Sequence, residues 1–577
     1  MLANSDIQRI YSQIKGNQSL SNSNKNVFER SSVFSKIRTI NLIVFIIIAT
    51  VICRIVYLNT FNTHFLTREL DSRIMRTIKV TAMRGSVMDR NNNPLAVSTP
   101  VASIWVDPTQ LDNLTKEQIE KAANILGMTV TDLNGKLNQK SKTFVYLKRA
   151  ITLSQAEQIR KLNIDGVYSL QEFKRYYPYA NLTAHVVGFN NIDDNGAEGI
   201  EYADNKNLIG HDGQEKIMRD RQGNVVQNIE KISPAQNGQD IALSIDNRIQ
   251  SIAYNALKTQ VEKFDAQGGA ALVLDAKTGE VLAMVNMPSY NPNNRIGVNL
   301  DAIRNRAAID VYEPGSIIKP LLISKGLDLG IIKPSTVFDT HQYYVGTKLI
   351  KDDHAYSSMT IAEIIQHSSD IGASKVALKL NKKDMWEYYN SIGFGRKIGT
   401  NFPGEATGIF HNWKKWYPID QAEMGFGYGI SVSLMQMARA YTIFTNKGCL
   451  LPVSFYKENS ASGCQQVISV KTAEQMRGIL ADSTVDGTGK SAQTSDYTTA
   501  GKTGTAQKYN KVGGYTTKQY YGSFVGFAPA LNPRLIIAVT VDNPRKGGYH
   551  GAATSGPVFA AIAEPSLHLL GIKPDKK

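Results

Sequence analysis

Apolar residues run through most of this chain in short stretches broken by polar ones, and one segment departs from that pattern. From Ile40 to Leu58 the sequence reads INLIVFIIIATVICRIVYL, 19 residues with a single charge, Arg54. At 1.5 Å per residue a helix of that length covers ~28 Å, enough to cross a bilayer core. A buried core helix is the plainer alternative, but the β-branched and aromatic residues crowded between Ile43 and Thr50 suit lipid better than a one-sided soluble stripe. A cleaved signal peptide also competes. Against it, about 38 residues precede the apolar run and no small-x-small site follows at Val56–Asn59. The run is therefore read as an uncleaved anchor. Arg9, Lys15, Lys25, Arg30, Lys36 and Arg38 precede it against only Asp6 and Glu29, so the positive-inside rule keeps that end in the cytoplasm. The Ser/Asn-rich stretch 19–26 has too little apolar content to fold alone. No later segment reaches membrane length, which places the rest of the chain on the far side.

Residues 59–235 carry many turn signals and short alternating runs. Val101–Asp107 and Thr143–Leu147 are predicted strands, and Gln118–Leu126 and Ser154–Leu162 short helices. Asp193–Gly196 and Gly210–Gly213 are among the clusters that interrupt them, so an irregular, extended α+β region is expected here. From residue 236 the texture changes. Ile249, Ile252, Ala253, Leu257 and Val261 give Asn247–Phe264 a helical apolar face. Strands Gly269–Asp275 and Glu280–Met287 follow as a hairpin around Ala276–Gly279, each expected to bury alternate residues. A helix-rich middle is expected at roughly 316–330, 360–393, 431–447 and 470–481. Strands Tyr520–Ala528 and Arg534–Asp542 and a last helix at Pro557–Leu570 close the region. An antiparallel sheet drawn from both ends of a domain, with helices inserted between, is an α/β sandwich. The chain has no internal repeat.

Composition narrows the function classes. With 577 residues the chain is too long for one ordinary domain, and 42% hydrophobic content supports packed cores. The formal charge is +15, but Lys and Arg are dispersed with no run of five, so nucleic-acid binding is not expected. Three cysteines cannot form a disulfide framework. Cys449 and Cys464 could close a loop between the short strands LLPVSFY and QQVISV in an oxidising compartment, or stay two unpaired small hydrophobes. Cys53 lies in the apolar run.

Three motifs carry the chemistry. In Glu313-Pro314-Gly315-Ser316-Ile317-Ile318-Lys319-Pro320, a Pro-Gly turn puts Ser316 at a helix N-terminus with Lys319 on the same face one turn on. An amine beside a hydroxyl supplies the proton acceptor that a serine nucleophile lacks, and the helix dipole favours negative charge developing there. Ser368-Ser369-Asp370 is the second motif and Lys502-Thr503-Gly504-Thr505, opening a predicted strand, the third. Each alone is weak. Ser12–Lys15 also fits S-x-x-K, and Lys277-Thr278-Gly279 also fits K-T-G but falls in the hairpin turn ahead of the serine. The GTGKS at 487–491 hints at a phosphate loop, yet residue 484 is Thr where that motif needs Gly.

Taken in order within one α/β domain, Ser-x-x-Lys, Ser-x-Asp and Lys-Thr-Gly resemble the penicillin-binding proteins and serine β-lactamases. Arg84-Gly85-Ser86-Val87-Met88-Asp89-Arg90, the stretches 94–108 and 175–189, and Glu198–Glu201 resemble a class B pedestal, while 425–442 resembles the segment lining the active site. The resemblance, strongest to the division-specific (FtsI-like) members, runs from about residue 36 to 568. It implies a membrane-anchored multidomain protein with a cytoplasmic tail (1–38), a transmembrane helix (39–58), an irregular α+β pedestal (59–235) and an α/β transpeptidase domain (236–577).

The resemblance also implies roles. Ser316 attacks the penultimate D-Ala carbonyl of a stem peptide ending in D-Ala-D-Ala, and Lys319 accepts its proton, with burial and Lys502 expected to depress the Lys319 pKa. Ser368 passes a proton to the leaving amine. Lys502, Thr503, Gly504 and Thr505 bind the terminal carboxylate, and the backbone N–H groups of Ser316 and Thr505 form the oxyanion hole. No metal or cofactor is required. β-Lactams would acylate the same serine. A polytopic FtsW-like septal glycosyltransferase and other divisome proteins are the implied partners, and the bacterial inner membrane at the septum the implied location. Asp370 departs from the pattern, since most division-type members have Asn there. An amide donates to a substrate carbonyl, whereas a carboxylate only accepts; Asp370 could instead pair with Lys319 or Lys502. Elongation-type relatives often carry Asp at this position, which makes them the alternative. A β-lactamase would need neither pedestal nor anchor, a β-lactam sensor would carry further membrane spans to a cytoplasmic output domain that a tail of ~38 residues has no room for, and the intact Ser316, Lys319 and Lys502 argue against a non-catalytic divisome scaffold.

Overall fold

The computed structural model describes residues 25–60, 75–111, 114–219, 225–457, 463–510 and 514–576. The Ser12–Lys15 motif and most of the expected tail lie outside them. The chain divides into two units, Met1–Ile78 with Glu215–Ile232, and Lys79–Gln214 with Ser233–Lys577.

In the first unit helix α1 (Lys25–Thr60) extends well beyond the apolar run on its N-terminal side. Its 25-residue stretch Lys36–Thr60 is apolar enough to cross a membrane, and none of it is buried against protein. Cys53 is free and exposed on it. Met75–Val80, Gly213–Arg219 and Val225–Ser233 form a three-stranded sheet.

In the second unit the pedestal is built on strand β1 (Pro94–Val106), which pairs antiparallel with both β2 (Val145–Ile151) and β3 (Val167–Tyr176). Helices α2 (Lys116–Leu126), α3 (Val130–Leu137) and α4 (Leu153–Arg160) cover it. Thr115, Thr129 and Thr152 cap their N-termini. Ala123, Leu126, Leu133 and Ile159 pack with Ile104 and Val106 in a small core. Below it Arg84 and Arg175 grip the two oxygens of Glu201 at 2.7 and 2.6 Å, and all three side chains are buried. A buried carboxylate without such partners costs several kcal/mol.

The second part of this unit is a five-stranded antiparallel sheet. Helix α5 (Asn247–Lys263) leads into β4 (Gly268–Asp275) and β5 (Val281–Met287). Helices α6 (Lys319–Asp328), α7 (Ile361–Gln366), α8 (Asp370–Lys379), α9 (Leu434–Ala440) and α10 (Val470–Asp486) intervene. Strands β6 (Ala500–Asn510), β7 (Gly514–Ala528) and β8 (Leu535–Asp542) and helix α11 (Gly556–Leu569) complete it. The strand order is β5-β4-β8-β7-β6.

Here the expected alternation along β4 and β5 is corrected, because every residue of both strands is buried. Ala271, Val273, Ile537 and Val539 face Ile249, Leu257, Phe559 and Ile562 of α5 and α11. Ala270, Leu272, Ile536 and Ala538 face the large core that holds Ile317, Leu321, Met435 and Met437. Helices cover both faces, so the period of two carries no polar side.

The expected helical stretch 360–393 is also broken. Ser368 sits between α7 and α8 at φ 63°, a left-handed conformation that ends α7, and Ser369 then caps α8 by accepting from the Gly372 N–H. Cys449 and Cys464 are joined by a disulfide, with two-residue strands Cys449–Leu450 and Gln465–Gln466 paired beside it. The longer expected strands are not formed.

Candidate active site

The nucleophile candidate stands on a tight turn rather than on the first turn of an α-helix. Gly315–Ile318 is a 3-10 turn, and α6 begins only at Lys319 with Pro320 in its first positions. Gly315 has φ 55°, and a Cβ there would come 2.8 Å from the Thr505 carbonyl oxygen. A Cβ on Gly504 would lie 2.9 Å from both Ile317 and the Pro314 oxygen. These two glycines let the turn lie directly on β6, beside Lys502–Thr505. From behind, the Tyr441 hydroxyl donates to the Ile317 carbonyl at 2.8 Å.

The three motifs meet at this turn. Lys319, fully buried, donates from Nζ to the Ser368 carbonyl at 2.6 Å and to the Ser368 Oγ at 3.3 Å. Asp370 Oδ1 is 2.6 Å from the same Nζ. Of the two partners open to Asp370 on sequence grounds, Lys319 is therefore the one in contact. Ser316 and Ser368 are half-buried.

Lys502 is fully buried on β6, where its Nζ donates to the Thr488 Oγ1 at 3.1 Å and to the Thr503 Oγ1 and carbonyl, each at 3.2 Å. Thr503 in turn donates to Thr488 at 2.8 Å. The Thr505 Oγ1 accepts from the Gly551 N–H at 3.2 Å.

The electrostatics follow from two buried ammonium groups and one partly exposed carboxyl. Burial pushes the Lys502 ammonium well below its ordinary range, repulsion from Lys319 adds to this, and Asp370 opposes it. Burial raises the Asp370 carboxyl, Lys319 pulls it back, and Asp352 and Asp353 push it up further. Its side chain keeps 35% of its surface exposed, so solvent screens part of that effect.

Two residues of this site were not singled out from sequence. Asp352 accepts from the Ser369 hydroxyl at 2.5 Å and from the Ile371 N–H at 2.9 Å, and so holds the Ser-x-Asp loop from below. Thr488 comes from the GTGKS stretch that fails as a phosphate loop. Its only sequence signal is that glycine-flanked setting, and its partner lies fourteen residues away.

A family model described as "Penicillin binding protein transpeptidase domain" matches residues 269–564. The chain belongs to that family. A second model, "Penicillin-binding Protein dimerisation domain", matches residues 79–243, the arrangement of a class B member. Among curated relatives, the "Probable peptidoglycan D,D-transpeptidase PenA" of Neisseria gonorrhoeae is 40% identical over 92% of both chains. "Peptidoglycan D,D-transpeptidase FtsI" of Escherichia coli is 35% identical over 92% of this chain and 90% of its own. A crystal structure of a peptidoglycan synthetase from Bifidobacterium adolescentis superposes with a TM-score of 0.69 at 26% identity, over 87% of this chain and 98% of the other. In this penicillin-binding family the fold, with its pedestal ahead of the transpeptidase sheet, serves serine transpeptidation, and peptidoglycan and β-lactams fit as its ligands.

Proposed function

We propose that this chain is the D,D-transpeptidase that cross-links peptidoglycan stem peptides at the division septum. The observation that carries the reading is the meeting of Lys319 with Ser368 and Asp370, three residues on from Ser316 and next to Lys502. Ser316 Oγ attacks the carbonyl carbon of the penultimate D-Ala, and its proton passes to the Lys319 amine. The peptide C–N bond breaks, D-Ala leaves with a proton relayed through Ser368, and an ester on Ser316 remains. An amine of a neighbouring strand attacks that ester, forms the cross-link, and returns the proton to Ser316. Lys502, Thr503 and Thr505 bind the terminal carboxylate, with Gly504 letting β6 approach the turn. The N–H groups of Ser316 and Thr505 stabilise the oxyanion, worth ~3–4 kcal/mol per donor in such sites.

The topology follows the flanking charges. The tail 1–38 is cytoplasmic, 39–58 spans the inner membrane, and the pedestal (59–235) and transpeptidase domain (236–577) are periplasmic. An FtsW-like polytopic glycosyltransferase and other divisome proteins are its partners there. FtsI as a relative supports the division role. Asp370 favours a second reading, an elongation-type transpeptidase. Depletion in the native cell separates the two: filaments with unfinished septa are expected for the septal enzyme, whereas rounding would transfer it to elongation.

A further inference from the structure

One carboxyl group beside the nucleophile turn is not used in the acyl-transfer scheme. Glu313, three residues before Ser316, accepts at Oε1 from the Gly429 N–H (2.8 Å) and from the Tyr515 hydroxyl (2.9 Å). These two donors come from different elements. Gly429 ends the loop 425–429, whose Gly427 carbonyl accepts from the Gly315 N–H at 3.1 Å. A Cβ at Gly427 would fall 2.2 Å from the Gly315 oxygen, so loop and turn touch backbone to backbone. Tyr515 stands on β7, opposite Tyr509 of β6. Its ring meets Tyr428 edge-on at 5.7 Å, and the Tyr428 hydroxyl accepts from the Gln507 N–H of β6 at 3.4 Å. The Glu313 carboxyl thus closes a ring of contacts from the Ser316 turn through the loop to the strand pair that carries Lys502 and Thr503, and back.

The geometry points to Glu313 as a positioning residue that holds the Ser316 turn in register with β6. This rests on Ser316 being the nucleophile. Glu313 touches none of the reacting atoms, and its second oxygen is buried with no hydrogen-bond partner among the described residues. Burial raises its carboxyl, the Gly429 N–H and Tyr515 hydroxyl pull it down, and the neighbouring Glu423 raises it again. Glu423 is itself paired with Lys348 at 3.2 Å. Burial and Glu313 also push the Tyr515 hydroxyl up, which keeps it a donor. What the two donors need is an acceptor oxygen, and a glutamine supplies one.

The test is stopped-flow acylation by benzylpenicillin of the full-length protein in detergent, resolving drug binding from the acylation step. Glu313→Ala is expected to slow the acylation step by about 100-fold with drug binding changed by less than about threefold, since misplacement by about 1 Å costs that much. Glu313→Gln should recover to within about fivefold of wild type, because the acceptor returns. Tyr515→Phe should slow acylation by about fivefold and add nothing to Glu313→Ala, the coupling expected of one brace. Wild-type acylation in folded Glu313→Ala, a Glu313→Gln as slow as the alanine variant, or two losses that multiply would each overturn the proposal. If the alanine variant does not fold, Tyr515→Phe at the wild-type rate overturns it. Ser316→Ala in the same assay keeps the two readings apart: a surviving adduct there rejects the nucleophile, whereas no adduct with a wild-type Glu313→Ala rejects only the brace.

Discussion

In the pedestal, two buried guanidinium groups share one buried carboxylate; beside Ser316, two buried ammonium groups lie near one carboxyl, and only Lys319 is paired with it. The formal charges match and the outcomes do not. Arg84 and Arg175 each donate to a different oxygen of Glu201, and a guanidinium keeps its proton under any ordinary condition, so the cluster works as a rigid clasp. Lys319 takes the Asp370 carboxyl, and Lys502, left with hydroxyl and carbonyl partners, has its ammonium pushed well down by burial and by Lys319. Ammonium groups yield protons when desolvated, which is useful only where protons must move. The same charge count thus leaves both cations paired with a carboxylate in the pedestal and only Lys319 so paired beside Ser316.

Substitutions in the two clusters should therefore separate rate from stability. Lys319→Ala is expected to slow penicillin acylation by about a thousandfold or more, the contribution of a positioned base. It should lower the melting temperature far less than Glu201→Ala does, because the Asp370 carboxyl it leaves behind is 35% exposed to solvent. Acylation kinetics and a thermal melt on one preparation check both halves, and a normal rate would break the comparison. Glu201→Ala should do the reverse. It strands two buried guanidinium groups and costs about 3–5 kcal/mol of stability, while the fraction that stays folded acylates normally. An unchanged melt would show that Glu201 is not a clasp.

Asp370→Asn sharpens the comparison with the smallest effect. The carboxylate favours the charged form of Lys502, so replacing it should lower the Lys502 pKa further. The fall in acylation on the basic side of the pH profile should then begin at lower pH than in wild type. Near neutrality the rate should hold or rise modestly, because the amide restores a donor. A loss of about a hundredfold, ~2.7 kcal/mol in barrier, would show that the charge is needed to hold Lys319.

These contrasts also mark what could be read before the fold was known. Ser316, Lys319, Ser368 and Lys502 were singled out because each sits in a short motif, and the fold brings Lys319 against Ser368. Asp352, Thr488 and the bracing role of Glu313 were not, because each works on a partner brought near only by the fold: Ser369 at the cap of α8, Lys502 from β6, Tyr515 from β7. The apolar run of α1 was legible because lipid demands an unbroken stretch. The burial of β4 and β5 was misread because alternation reports a single covered face, and here α5 and α11 cover the second. The disulfide stayed open because fifteen residues of spacing do not say whether two chain ends meet.

The central claim is that Ser316 is the residue acylated, and intact-mass analysis with peptide mapping after benzylpenicillin treatment tests it most directly. The wild-type protein should gain one drug mass, carried on the peptide that contains Ser316, and Ser316→Ala should gain none while melting as wild type. An adduct on Ser316→Ala at a rate near wild type, or a modified wild-type peptide that lacks Ser316, would contradict the assignment.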